Sequence, residues 1–166
     1  KKYSDHIAYP IRLAKDDQTT EVINSVEALW TKPAKDITQE QYNNFYQSHS
    51  GQYDTPFLTL HNKAEGAVEF TNLLFLPSQK PFDLFDPERK TKVQLYVNRV
   101  FITDELKDLI PEWLRFVRGI IDTASLDLNV SREMLQHNAT LLKIRKAVTK
   151  RVLSELAKKV KKDPQA

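Results

Sequence analysis

Apolar residues recur with a period near two through much of this chain and near 3.6 at its end, which divides it into a sheet-forming body and a long helix. Residues 7–13 are a short run of strand formers broken by Pro10, which predicts an edge strand. A polar turn at Asp16, Asp17 and Gln18 leads to a second predicted strand over 21–25. Trp30 lies in a loop with Thr31, Lys32 and Pro33. Thr38, with Gln41 three positions on, is a capping-box pattern; Tyr42, Phe45 and Tyr46 follow at helical spacing, and Ser50-Gly51 supplies the stop. Residues 57–62 and 67–76 read as strands joined by a glycine-containing turn at 63–66. A polar loop over 77–92 precedes VQLYVNRVFI at 93–102, which reads as one strand whose sides alternate up to Val97. Asp104 with Lys107 predicts a short helix, Pro111 opens a turn through Leu114, and 116–121 is a strand containing Gly119. From Asn138, a natural N-cap, Leu141, Ile144, Val148, Val152, Leu156 and Val160 predict a helix running to about Lys159. This order of elements predicts a mixed α/β (α+β) layer fold.

Composition sharpens the division. At 166 residues and 40% hydrophobic content, the chain suits one domain, or one domain with an appended helix. Residues 1–138 hold 16 Lys/Arg and 20 Asp/Glu, a net charge of −4, whereas 139–166 hold 9 and 2, a net charge of +7. The basic character therefore belongs to the final segment. Cysteine is absent, which removes disulfide and thiolate chemistry and favours an intracellular setting. No apolar run approaches the ~20 residues that span a bilayer, so no membrane partner is expected. The opening Lys-Lys-Tyr and the polar closing Lys-Lys-Asp-Pro-Gln-Ala suggest a piece of a longer protein.

The candidate chemistry lies in residues 126–136, LDLNVSREMLQ. Ser131 is a natural N-cap, and the turn it opens carries Arg132 and Gln136 at i and i+4 on one face, with Asn129 just before. A guanidinium fixed at a helix start is a permanent, forked cation suited to phosphate oxygens. The same pattern also describes an ordinary capped helix with a solvated ion pair. Only three glycines occur, none in a phosphate-cradling pattern, so the arginine is suited to a phosphate held elsewhere. The four histidines show no metal-ligand spacing, and hydrogen-bonded or solvated histidines are expected. A rival of a different class is a nucleic-acid-associated module. The final helix carries Lys143, Arg145, Lys146, Lys150, Arg151, Lys158 and Lys159 off its apolar stripe, but base-stacking aromatics are missing from it.

Six blocks, in order, carry a family resemblance. They are KYSDHIAYP at 2–10, LWTKPAKDI at 29–37, PFDLF at 81–85, LYVNRVFI at 95–102, IPEWLRFVRGIID at 110–122 and LNVSREMLQ at 128–136. The chain resembles the first part of the middle domain of the ninety-kilodalton heat-shock chaperone family, in its bacterial form. The resemblance implies a three-layer α/β sandwich of the ribosomal-protein-S-five domain-two-like type over 1–138, ending in a catalytic arginine loop. The long helix at 139–166 then leads to a smaller subdomain that this chain lacks.

It also implies a division of labour. ATP and Mg2+ belong to a separate N-terminal domain of the parent, and this segment holds no cofactor or metal. Arg132 reaches the γ-phosphate, Gln136 helps to position it or the lid of the nucleotide site, and Asn129 holds the loop or simply stabilises a turn. Unfolded client proteins, the N-terminal domain and a C-terminal dimerisation region are the implied partners, in the cytoplasm. Trp30 and the loop residues Phe82, Leu84 and Phe85 are the implied client contacts. These aromatics are either presented to clients or folded back onto the domain. A further expectation is that residues 126–138 form a comparatively mobile loop beside an ordered sheet.

Overall fold

The computed structural model describes residues 6, 9–16, 19–24, 27–81, 91–106, 109–127, 135 and 138–162. A small antiparallel ribbon pairs β1 (Arg12–Asp16) with β2 (Thr19–Val22). Pro10 delays the first strand: Asn24 Oδ1 accepts the Ile11 N–H at 2.7 Å, and pairing starts at Arg12 opposite Val22. The second strand accordingly lies earlier than the expected 21–25.

The helix α1 (Gln39–Ser50) forms as its local code dictates. Thr38 Oγ1 accepts the Gln41 N–H at 3.2 Å, and Gln41 Oε1 accepts the Thr38 N–H at 2.9 Å, so two orphan donors are satisfied reciprocally. Gly51 closes the helix in the left-handed conformation, φ 68°.

Five strands make the main sheet: β3 (Pro56–Ala64), β4 (Phe70–Pro77), β5 (Lys92–Val97), β6 (Val100–Thr103) and β7 (Arg118–Thr123), in the order β3-β4-β7-β5-β6. Only β5 and β7 run parallel. The stretch read as one strand over 93–102 is therefore a hairpin. Asn98 and Arg99 both take positive φ, 50° and 65°, as a two-residue type I′ turn requires. The strand expected from residue 67 begins at Phe70, after a bend. The short helix expected at Asp104 is not seen at the described residues 104–106; Thr103 Oγ1 instead takes the Glu105 N–H at 3.1 Å. Pro111 does open a turn, a 3-10 helix at Glu112–Leu114.

The sheet is covered on both faces, which explains the unbroken apolar run Leu73-Leu74-Phe75-Leu76 in β4. Leu73, Phe75, Tyr96 and Ile120 pack with Trp30, Tyr42 and Tyr46 on the α1 side. Leu74, Leu76, Leu95 and Ile121 pack on the opposite side with the helix α2 (Ala139–Lys162). α2 is capped by Asn138, whose Oδ1 accepts the Thr140 N–H at 2.9 Å and the Leu141 N–H at 3.3 Å. Of its predicted stripe, Leu141, Ile144, Val148 and Val152 are buried, Leu156 is half-buried and Val160 is exposed. Helix, sheet and helix thus form three layers.

Gly119 sets the spacing at the centre of the sheet. It pairs with Leu74 of β4 at φ 124°, and a Cβ there would lie 2.1 Å from the Leu73 carbonyl oxygen. Only glycine permits that approach.

Candidate functional site

The carboxyl ends of the parallel strands β5 and β7 lie together, with Val97 opposite Thr123. In open α/β sheets this is the end at which ligands and catalytic loops collect. The segment carrying the candidate arginine leaves the sheet here. Its start is tied down: Thr123 Oγ1 donates to the Glu69 carbonyl at 2.7 Å and accepts the Ser125 N–H at 3.1 Å, while Ser125 Oγ accepts the Glu69 N–H at 3.0 Å. Leu126 and Leu135 then both enter the core on the α2 side, Leu135 with no exposure at all. Leu135 is helical, and its carbonyl accepts the Asn138 N–H at 3.3 Å. Two leucines and a cap therefore pin the ends of this segment. Asn129, Arg132 and Gln136 themselves lie outside the described residues, as do Phe82, Leu84 and Phe85. The anchoring role of Leu135 was not foreseen from the sequence, where it reads only as part of a loop.

Beside the end of β7 is a groove of about 350 Å³ lined by Lys63, Glu69, Thr71, Arg99 and Asp122, among others. Asp122 does not face it as a free base. Its Oδ2 accepts the Trp30 Nε1–H at 2.8 Å, and its Oδ1 accepts the Arg99 N–H at 3.2 Å. The carboxylate thus joins the Trp30 turn to the β5–β6 hairpin.

Of its two expected alternatives, Trp30 takes the second and is folded back onto the domain. It is 1% exposed, in a 3-10 turn (Leu29–Thr31), with its ring 4.9 Å from that of Tyr96 and 4.7 Å from that of His6. The physical reason is that the indole has both an apolar wall and a buried acceptor, so the polar composition of its loop does not decide its exposure. The exposed tryptophan is Trp113, at 56%.

Among the described residues, His61 and His49 take structural positions. His61 Nε2 donates to the Trp30 carbonyl at 3.0 Å, which leaves Nδ1 to accept from the Tyr42 hydroxyl at 2.8 Å. His49 stacks on Phe45 at 5.5 Å; burial, with the Arg118 guanidinium adding to it, pushes its pKa down despite hydrogen bonding to the backbone of Gly119 and Lys92. Tyr46 is buried with its hydroxyl 2.8 Å from Gln52 Oε1 and 3.1 Å from Asp54 Oδ1; burial and the Asp54 charge push it up to about 12. Among the described residues no group of three or more His, Asp or Glu is arranged to hold a metal ion. None of the described helices is long and apolar enough to cross a membrane.

A family model described as Hsp90 protein matches residues 12–166 of this chain. Chaperone protein HtpG of Rickettsia canadensis is 58% identical over 166 residues, covering 99% of this chain and 27% of that protein. Chaperone protein HtpG of Rickettsia typhi is likewise 58% identical over 166 residues, 99% of this chain and 27% of that protein. Chaperone protein HtpG of Paramagnetospirillum magneticum is 57% identical over 159 residues, 96% of this chain and 26% of that protein. The chain spans about a quarter of the length of the curated relatives it matches.

Proposed function

From the premise that this chain belongs to the Hsp90 protein family, we propose that it is part of the middle domain of an ATP-dependent cytoplasmic chaperone and lends Arg132 to a nucleotide held by another domain. In this reading residues 1–138 are the large α/β unit, of the S-five domain-two-like type, and 139–166 lead to the next unit. Phosphoryl transfer depends on positioning and on stabilising charge, and an arginine supplied from elsewhere contributes ~10³–10⁵ in rate. Supplying it from a second domain makes hydrolysis conditional on domain closure. Gln136 helps to position the γ-phosphate or the lid of the nucleotide site, Asn129 holds the loop, and ATP with Mg2+ belongs to the N-terminal domain of the parent.

The observation that carries the reading is the anchoring of the arginine segment. It starts at the carboxyl end of a parallel strand pair, is tied there by Thr123, Ser125 and Glu69, and is pinned by Leu126 and Leu135 in the core. Anchored ends lower the entropic cost of ordering the stretch between them when an arginine acts on a partner's phosphate. Two of the three glycines support the same division of labour, because they are engaged elsewhere: Gly51 caps α1 and Gly119 sits against Leu73. Client contact remains part of the reading through Phe82, Leu84 and Phe85, while Trp30 contributes as a buried support.

The test is ATP affinity and turnover of the full-length parent, wild type against Arg132→Ala. Unchanged affinity with turnover down by about 10³-fold or more is expected. Unchanged turnover overturns the donor role. The rival placement, within the nucleotide-binding part of the parent, predicts that this chain alone binds ATP as tightly as the parent does. That result overturns the middle-domain reading.

A further inference from the structure

Arg99 stands where the β5–β6 hairpin favours glycine. A type I′ turn needs positive φ at both central residues, and only glycine takes it without crowding its Cβ against the next carbonyl. Asn98 and Arg99 nonetheless adopt φ 50° and 65°. The backbone bonds of the turn do not explain the choice. The Asn98 N–H donates to the Thr123 carbonyl at 3.3 Å, and the Arg99 N–H donates to Asp122 Oδ1 at 3.2 Å. A glycine at position 99 would donate the same N–H without the strain. The reason for arginine therefore lies in its side chain, and a strained residue beside a groove points to function.

Half-buried, Arg99 lines the groove of about 350 Å³ with Lys63, Glu69, Thr71, Asn98 and Asp122. The charges around it are engaged elsewhere. Lys63 pairs with Glu65 at 2.8 Å, and the Glu69 charge also acts on Lys63. Asp122 already accepts from the Trp30 indole and the Arg99 backbone. Arg99 itself forms no ion pair with any described residue. Its guanidinium is a permanent cation whose planar fork matches the two oxygens of a carboxylate.

The position of the groove says what meets it. Ala124, the first residue beyond β7, is part of its lining, so the groove opens at the carboxyl end of β5 and β7, where the arginine segment begins. The far end of that segment is fixed to the same domain: Leu135 is buried and lies three positions beyond Arg132, so at most about 11 Å of chain separates Arg132 from it. A domain that presents a phosphate to Arg132 must therefore close against this end of the sheet. We propose that Arg99 is a second, positioning arginine, whose guanidinium receives a carboxylate of the parent's nucleotide-holding domain and fixes that domain in its closed arrangement. This rests on the reading in which Arg132 serves a nucleotide held by a second domain. A forked pair sets direction as well as strength, which suits a contact that must orient one domain on another.

The test follows closure of the full-length parent by energy transfer between dyes on the two domains, after addition of the non-hydrolysable ATP analogue AMP-PNP. Wild type is compared with Arg99→Gly, Arg99→Lys and Arg132→Ala. Arg99→Gly is expected to slow closure at least about tenfold, with turnover falling in step and ATP affinity unchanged. Arg99→Lys keeps the charge without the fork and is expected to close at an intermediate rate. Arg132→Ala is expected to close as the wild type does and to lose turnover alone. Melting of this chain, followed by circular dichroism, separates the proposal from a structural role: Arg99→Gly relieves the turn, so its melting temperature holds or rises by up to about 4 °C. Closure of Arg99→Gly at the wild-type rate overturns the proposal and leaves the donor role standing, provided that Arg132→Ala has lost turnover. Wild-type turnover in Arg132→Ala, with slow closure in Arg99→Gly, overturns the donor role and supports the positioning role. A lowered melting temperature in Arg99→Gly makes Arg99 a structural residue and overturns the proposal. So does binding of inorganic phosphate or ATP to this chain alone that Arg99→Gly abolishes, which assigns the groove to a free anion.

Discussion

Replacing Trp30 by phenylalanine isolates one interaction in the α1-side core. The substitution keeps an aromatic ring against Tyr96 and removes the Nε1–H that donates to Asp122 Oδ2 at 2.8 Å. A hydrogen bond to a charged group contributes about 1.5–3 kcal/mol, and the loss leaves a shielded carboxylate oxygen without its donor. Asp122 keeps the Arg99 N–H on its other oxygen, so the charge is not stranded completely. The smaller ring also leaves a gap, which moves the expected cost to about 2–4 kcal/mol. Trp30→Ala adds the loss of a whole buried aromatic, about 3–5 kcal/mol more. Set against the 5–15 kcal/mol typical of a domain, that leaves the alanine variant close to unfolded at ambient temperature.

Urea unfolding followed by circular dichroism measures these costs without relying on the tryptophan that is removed. Combining Trp30→Phe with Asp122→Asn closes a double-mutant cycle, and a coupling of about 1–3 kcal/mol is expected for the bonded pair. Iodide quenching of the wild type supplies an independent check: Trp113 is quenched and Trp30 is shielded. The reasoning is refuted if Trp30→Phe unfolds within about 0.5 kcal/mol of wild type, the level of a neutral surface substitution. Equal quenching of both indoles refutes it as well. The assay also separates stability from client contact, since a loss of client binding in Trp30→Ala reports unfolding unless Trp30→Phe shows it too.

Gly119→Ala is expected to prevent folding, because its Cβ would meet the Leu73 backbone oxygen at 2.1 Å and only separation of β4 and β7 relieves the contact; soluble yield and circular dichroism check it. Gly51→Ala, also at positive φ but with nothing within 4 Å, costs only about 1–2 kcal/mol in the same assay. His49 is held neutral by burial, so its folded pKa lies below the unfolded 6.5. Its contribution is therefore complete above about pH 6.5 and is lost as pH falls below it. The denaturation midpoint should drop on acidification, less so in His49→Gln. Leu135→Ala is expected to lower the turnover of the full-length parent beyond its cost in stability.

The parts of this fold that are written locally were legible in the sequence. The Thr38/Gln41 box, the Gly51 stop and the Asn138 cap each act within four residues, so a short window contains the whole cause. The Asn98-Arg99 turn was missed because arginine is not a turn-forming residue; its positive φ is held by the Arg99 N–H on Asp122 and the Asn98 N–H on the Thr123 carbonyl. Both partners lie on another strand. The burial of Trp30 was undecidable for the same reason, since the acceptor that satisfies its indole is 92 positions away. The periodicity of α2 was legible, yet only the tertiary structure separates its covered stripe from its exposed one.

The two cores lie on opposite faces of one sheet, and this decides which substitutions reach the arginine segment. Trp30 lies in the α1-side core and is bonded there to Asp122. Leu135 acts on the α2 face and lies three positions after Arg132, less than one helical turn. Leu135→Ala removes a fully buried side chain at a cost of about 2–5 kcal/mol, and it also frees the end of the segment that carries the guanidinium. A misplacement of about 1 Å at a reacting group costs on the order of 10²-fold in rate. In the full-length parent, at a temperature where both variants remain folded, Leu135→Ala should therefore lose turnover at unchanged ATP affinity, while Trp30→Phe, of comparable stability cost, keeps it. Equal loss of turnover in the two variants would mean that global stability, and not the local anchor, governs the arginine.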